Sequence, residues 1–263
     1  VSYDGTDFSG WAAQPGRRTV AGVLLAELER LFGTGGTVGL TVAGRTDAGV
    51  HASGQVAHVD VTTEGWARLG DSLIRRLAGL LPPDVRVVAA VPAPASFDAR
   101  FSALSRRYVY RVTDAPWGAE PLRSRDTLAW PRPLAIDLMN DAAAALVGLH
   151  DFVAFCRRKD HASTIRAVAR FDWRRDDAGV LVATVAADAF CQSMVRSLVG
   201  ALIAVGERRR PVMWPVDLLR RTERASDVVV APPHGLNLVE VVYPDASEYA
   251  HRATLTRNRR DLE

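Results

Sequence analysis

Two hydrophobic periods alternate along this chain, and their order constrains the fold more than any other feature. Apolar residues at every second position mark a half-buried strand, whereas spacings of three and four mark one face of a helix. After a strand end at Val1 to Tyr3, the stripe Val23, Leu24, Leu28, Leu31 and Phe32 predicts a helix. Thr19 is placed to cap it, and Gly33, Gly35 and Gly36 to stop it. Residues 38–42 and 55–61 read as strands, and Trp66, Leu69, Leu73, Ile74 and Leu77 as a second helical stripe. Pro82 and Pro83 break the pattern before a strand over 85–91. The order is β-α-β-β-α-β, which closes as an antiparallel sheet with two helices on one face.

The second half runs through the same order with longer insertions. Strands are predicted at 108–112, 165–173, 180–186 and 238–242, and helices at 135–146 and 190–205, with a short extra helix at 216–224. The fold class is therefore read as α+β, a two-layer arrangement of two ferredoxin-like, RRM-like units. They are expected to span 1–98 and 99–263, joined near Ser96 to Ser102. A length of 263 residues fits two modest domains at about 150 residues each. The hydrophobic fraction of 48% supplies their cores.

Composition narrows the class of function. The formal net charge is +3, and among 33 basic side chains Lys159 is the sole lysine. Planar guanidinium groups fork onto phosphates and stack on bases, which fits a nucleic-acid partner. A compositional bias of the genome gives the same skew. Cys156 and Cys191 stand far apart without histidine spacing, which excludes a disulfide-built secreted scaffold and a clustered zinc or iron–sulfur site. No apolar run approaches 18 residues and no signal segment opens the chain, so a soluble cytoplasmic protein with no membrane partner is expected. The chain opens on Val1, inside a strand, so residues are expected to precede it.

The most informative local run is GRTDAGVHASGQ, residues 44–55, between two strands read as neighbours. A hairpin needs two to five connecting residues, and this loop spends about ten. Within it, Asp47 lies two residues after Arg45 and four before His51. Asp47 either bonds its own backbone in a turn or serves as a functional carboxylate on a loop held by a rigid sheet. His51, His58, Asp47 and Asp60 are enough ligands on paper for a metal, but they lack tetrahedral spacing, and no metal is expected. Neither a phosphate-cradling glycine loop nor a serine elbow is present. In RRYVYRV, residues 106–112, Tyr108 and Tyr110 share one face and Arg107 and Val109 the other. The tyrosines are either a base-stacking platform beside arginines or core residues with polar tips. Arg196 interrupts the apolar side of the helix after Phe190. It either snorkels to solvent or, if buried, needs a carboxylate partner.

These residues resemble the tRNA pseudouridine synthase A family along the whole chain. The resemblance is carried by YDGTDFSGW (3–11), GRTDAGVHASGQV (44–56), FDARFSALSRRYVY (97–110), DAFCQSMVRSLVG (188–200) and GLNLVEVVYP (235–244). It implies two α/β units flanking a central active-site cleft, assembled as a homodimer with tRNA across both subunits and with no DNA partner. The implied reaction is isomerisation of uridine to pseudouridine in the anticodon stem-loop, at tRNA positions 38, 39 and 40. Asp47, in the N-terminal unit, corresponds to the essential aspartate. Tyr108, in the C-terminal unit, corresponds to the tyrosine against the target base, and Arg196 to the arginine paired with the aspartate. Arg45 corresponds to a basic residue that holds a flipped nucleotide, with His51 and Arg107 as further substrate contacts. The chain departs from the family at Ala12 and Ala13, where Gln-x-Gln is frequent, and at Asn237, where an aromatic residue is frequent. The isomerisation needs no cofactor, because no electrons are gained or lost and nothing is added. The alternative reading is a non-catalytic tRNA-binding or RNA-folding protein, which would not need Asp47.

Overall fold

The computed structural model describes residues 1–33, 37–157 and 163–257. It is a mixed α+β fold with helices and strands interleaved. The chain forms two compact units, one built from Val1–Leu104 with the segment beginning at Leu238, the other from Ser105–Asn237. No helix among the described residues is long and apolar enough to cross a membrane.

In the first unit, β1 (Ser2–Tyr3) leads through the 4–18 turn region to α1 (Val20–Phe32). Thr19 caps α1 as expected, its Oγ1 accepting from the Gly22 amide at 3.2 Å. Leu24, Leu28 and Phe32 face the core with Val20 and Ala21, while Val23 and Leu31 are half-buried. Gly33 ends the helix with φ 88°, and Gly35 and Gly36 lie outside the described residues. There follow β2 (Thr37–Val42), β3 (His51–Ala52) and β4 (Ala57–Val61). β3 is an element the sequence hid, because it lies inside the run read as a loop. It pairs antiparallel with β1, Tyr3 opposite Ala52.

The second helical stripe is two helices rather than one: α2 (Thr63–Leu69) and α3 (Leu73–Leu80), separated by a 3₁₀ turn at Gly70–Ser72. Ser72 Oγ donates to the Leu69 carbonyl at 3.2 Å, a local bond of the kind that competes with the helix ladder. Leu69, Leu73 and Leu77 are still all buried, so the apolar face survives the break. β5 covers only Val85–Arg86, not the expected 85–91. Val88 and Val91 are 69% and 77% exposed, and Pro92 and Pro94 carry no amide to continue a ladder. The strands of this unit run β5-β1-β3-β11, where β11 is Leu236–Val242, while β2 pairs with β4. The arginine-rich tail over 251–260, which the sequence leaves open as a solvated end or a nucleic-acid-facing arm, is in its described part the helix α7 (Tyr249–Arg257). Arg252 donates to the Ala103 carbonyl, and Arg257 pairs with Asp98 at 3.2 Å and lies over the Phe101 ring. Arg259 and Arg260 lie outside the described residues.

In the second unit, β6 (Ser105–Thr113) is flanked by β10 (Leu181–Ala187) and by the short parallel β7 (Leu128–Ala129). β9 (Ile165–Arg175) and β8 (Gly148–Asp151) continue the sheet antiparallel. Two helices, α4 (Ile136–Ala144) and α5 (Met194–Gly206), pack against each other, and α4 lies on β9. Asn140 locks that contact by bonding both the amide and the carbonyl of Trp173. Met194, Leu198, Ala201, Leu202 and Val205, the expected apolar face of α5, are all buried. α6 is shorter than expected, Trp214–Leu218. Cys156 and Cys191, 35 residues apart, are joined with their Cα atoms 5.6 Å apart, one link beside a full hydrophobic core rather than a disulfide scaffold.

Candidate active site

The loop after β2 is held from beneath by one buried polar cluster. The Tyr3 hydroxyl shares a hydrogen bond with Thr46 Oγ1 at 2.8 Å and accepts from Gln55 Nε2 at 3.1 Å. The same Gln55 nitrogen donates to the Gly44 carbonyl at 2.8 Å. Tyr3, Thr46 and Gln55 are 4%, 7% and 1% exposed, so each of these bonds replaces hydration that burial removed. Burial pushes the Tyr3 hydroxyl pKa up to about 12, and the bonds to Thr46 and Gln55 pull against that rise. Trp11 packs beside Tyr3, with ring centroids 5.9 Å apart, and its amide donates to the Thr46 carbonyl at 3.1 Å.

The turn-rich run YDGTDFSG is the second support. A Cβ on Gly5 would stand 2.0 Å from the Val50 carbonyl oxygen, so only glycine lets the two loops lie this close. The Gly5 amide donates to His51 Nδ1 at 3.0 Å, and the Gly49 amide to the Phe8 carbonyl at 3.3 Å. His51 is buried, with Asp4 Oδ1 3.2 Å from the same Nδ1. Asp47 is half-buried at the turn between these supports, its carbonyl accepting from the Val50 amide at 3.2 Å. Arg45 is exposed. The first unit thus gathers Arg45, Asp47 and His51 on one braced loop. Sequence reasoning missed Tyr3, Thr46 and Gln55 as the brace. The one signal for it was Gln55, a polar residue on the side of the 55–61 strand pattern that carries Ala57, Val59 and Val61.

The second unit presents Arg107, Tyr108 and Arg196. Tyr108 and Tyr110 share a face of β6 with Arg106 and Val112, as the strand period requires, and Arg107 lies half-buried on the other. That shared face is buried rather than an open platform: Tyr108 is 7% exposed and Tyr110 fully covered. The Tyr110 hydroxyl donates to the Pro232 carbonyl at 2.8 Å. Burial raises its pKa, and the positive charge of Arg196 works in the opposite direction. The Tyr108 ring meets Phe190 edge to face, centroids 5.2 Å apart. Arg106 reaches the Asp188 carbonyl at 2.7 Å, while Asp188 Oδ1 accepts from the amides of Ala167 and Ala189, ordering the approach to α5. Ser193 precedes α5 at φ 66°, a left-handed setting uncommon outside glycine. Arg196, in the first turn of α5, is half-buried and donates from Nε to the Ala231 carbonyl at 2.7 Å.

A family model described as tRNA pseudouridine synthase matches residues 1–102 and 142–244. The chain is 60% identical over 257 residues to tRNA pseudouridine synthase A of Frankia casuarinae, which covers 98% of this chain and 92% of that protein. It is 54% identical over 263 residues to the protein of the same name from Streptomyces griseus subsp. griseus, covering 100% and 93%. The Mycobacterium leprae tRNA pseudouridine synthase A is 50% identical over 272 residues, covering 99% and 93%. The motifs that build the braced loop and the start of α5 lie within these matched stretches, and the chain belongs to the tRNA pseudouridine synthase A family.

Proposed function

We propose that the chain converts uridine to pseudouridine in the anticodon stem-loop of tRNA, with Asp47 as the carboxylate that acts on the target nucleotide. The observation that carries this reading is the double bracing of Thr46, the residue before Asp47. Its side chain is bonded to Tyr3 and its carbonyl to Trp11, which fixes the backbone from which the carboxylate projects.

The reaction moves uracil from an N1–C1′ link to a C5–C1′ link. A base stacked in a stem is out of reach, so the uridine must first leave the helix, at a cost of a few kcal/mol. Tyr108 packs against the extruded base and Arg45 holds the opened nucleotide, with His51 and Arg107 as further contacts. Arg196 pairs with Asp47. A carboxylate in a dry site tends to take up a proton, and a guanidinium beside it opposes that. Asp47 then acts either by attacking C1′ or by abstracting a sugar proton to give a glycal. The uracil turns, C5 bonds to C1′, and the C5 proton leaves, with Tyr108 orienting the group that takes it.

The architecture proposed is two ferredoxin-like units, the first carrying Asp47 and the second Tyr108 and Arg196. In the first, β5-β1-β3 lie side by side and β4 pairs with β2 in a separate two-stranded ladder, and the chain runs from β3 directly into β4, which supports a last-first-third-second order. In the second, β6-β10-β9 follows the first-third-second part of it. A homodimer is proposed as the working assembly. Trp117 and Leu122, in the second unit, are 82% and 91% exposed, an apolar surface that a second copy would cover.

The test is release of tritium from tRNA labelled at uridine C5. Asp47→Asn and Asp47→Ala are expected to release none while filter binding of the tRNA stays near the wild-type level. Turnover by either variant overturns the assignment. A primary 2′-deuterium isotope effect on the wild-type single-turnover rate identifies the glycal route.

A further inference from the structure

α5 carries two residues one helical turn apart, Arg196 and Gly200, that meet the same stretch of backbone. Arg196 bonds Ala231 twice: its Nε donates to the Ala231 carbonyl at 2.7 Å, and its own carbonyl accepts from the Ala231 amide at 3.0 Å. A carbonyl within a helix already accepts from the amide four residues on, so the second bond uses its remaining lone pair. Such a bond requires a foreign backbone lying directly on the helix surface. Gly200 admits it. A Cβ there would stand 1.8 Å from the Val229 carbonyl oxygen, 3.0 Å from the Val229 carbonyl carbon and 3.3 Å from the Ala231 nitrogen. Ordinary non-bonded separation is about 3.5–4.0 Å, and a carbonyl in a backbone cannot swing aside as a side-chain tip can.

The far end of the same stretch is fixed to β6. Tyr110 donates its hydroxyl to the Pro232 carbonyl at 2.8 Å, and a Cβ on Gly235 would stand 2.6 Å from the Tyr110 ring. Residues 228–232 have no helical or strand ladder of their own, so these anchors define their path. Ala231 lies between the anchor at Gly200 and the anchor at Tyr110, and it is the carbonyl that receives the guanidinium. Fixing Nε of a planar fork fixes the plane of the fork, and with it the direction of the two terminal nitrogens.

We propose that Gly200, Tyr110 and the 229–235 strap form a positioning device that aims the Arg196 guanidinium. The proposal rests on the reading that Arg196 acts in the reaction. Gly200 and Tyr110 are positioning residues: they act through Arg196 and not on the nucleotide.

The experiment uses the full chain and a tRNA transcript, with single-turnover rate, tRNA affinity and thermal unfolding measured for each variant. Displacement of a reacting group by about 1 Å costs up to roughly 100-fold in rate, so Gly200→Ala is expected to slow turnover roughly 10- to 100-fold. Tyr110→Phe, which deletes one oxygen and keeps the ring, is expected to slow it less. Both should leave tRNA affinity within about threefold, since contacts to phosphates dominate affinity and neither change removes a charge. The deciding measurement is the cycle with Arg196→Ala. Residues that act through one another are non-additive, so neither change should slow the Arg196→Ala enzyme further. If the losses multiply in that background, or if folded Gly200→Ala and Tyr110→Phe both turn over at the wild-type rate, the positioning role is overturned. Should Gly200→Ala not fold, Tyr110→Phe carries the same cycle. Normal turnover by Arg196→Ala itself overturns the reading of Arg196 instead, an outcome distinct from a failed cycle.

Discussion

Tyr3 anchors the loop that carries Asp47. Its hydroxyl meets both Thr46 and Gln55 in a buried cluster, so deleting that oxygen removes the partner of Thr46 Oγ1 and of one Gln55 N–H, while Gln55 keeps its bond to the Gly44 carbonyl. An unsatisfied buried group costs about 1–3 kcal/mol, and Tyr3→Phe is expected to destabilise the first unit by that order. Because Thr46 adjoins Asp47, single-turnover tritium release should fall with it. Calorimetry and the release assay on one preparation check the pair, and a drop in stability with an unchanged rate would separate the brace from catalysis. Asp47 and Arg45 stood out in the sequence because a long glycine-bearing loop between strands is unusual. The brace did not, since pairing Tyr3 with Thr46 depends on a register across 43 residues.

Single elements show where periodicity holds and where local chemistry overrides it. The apolar face of α5 was legible because five residues at helical spacing are all buried. The single stripe read from Trp66 to Leu77 became two helices because the Ser72 hydroxyl takes a carbonyl from the ladder. Just past the end of α5, Glu207 accepts from Trp130, Arg132 and Arg209 with its carboxylate almost wholly buried. Burial alone would raise its pKa, but the bonds from Arg132, Arg209 and Trp130 outweigh it and hold the carboxyl below its ordinary value of 4.5. A depressed folded-state pKa stabilises above the unfolded value, and that stability is lost as pH falls through the folded value. The melting temperature should therefore drop more steeply below pH 4.5 in the wild type than in Glu207→Gln. At neutral pH that variant should lose about 1–3 kcal/mol, because both arginines are more than half exposed and rehydrate.

At the scale of the whole molecule, charge and assembly make the predictions. Arginine contacts to phosphates release counterions, so tRNA affinity is expected to fall linearly on a log–log plot against salt. A filter-binding series across salt concentrations checks this, and a flat line would contradict a backbone-contacting arginine surface. In sedimentation the chain is expected as a dimer, and a monomer independent of concentration would contradict the assembly proposed above. The arginine-rich tail, left in the sequence as either a solvated end or an RNA-facing arm, is in part a structural helix. Arg252 and Arg257 are engaged by Ala103, Asp98 and Phe101, which leaves less of it for a partner.

What the sequence by itself determined is what short-range physics encodes: the α1 and α5 stripes and the longer strands, the faces of β6 and α5, the Thr19 cap, and the motifs that carry the family. Each follows from side-chain period or from a bond across a few residues. Only the tertiary structure decided that Tyr3 braces the Asp47 loop, that β3 lies inside that loop, and that a strap around Ala231 clasps Arg196. Those contacts join residues 35 to more than 40 positions apart, where the distance between two groups is set by packing and not by the chain between them.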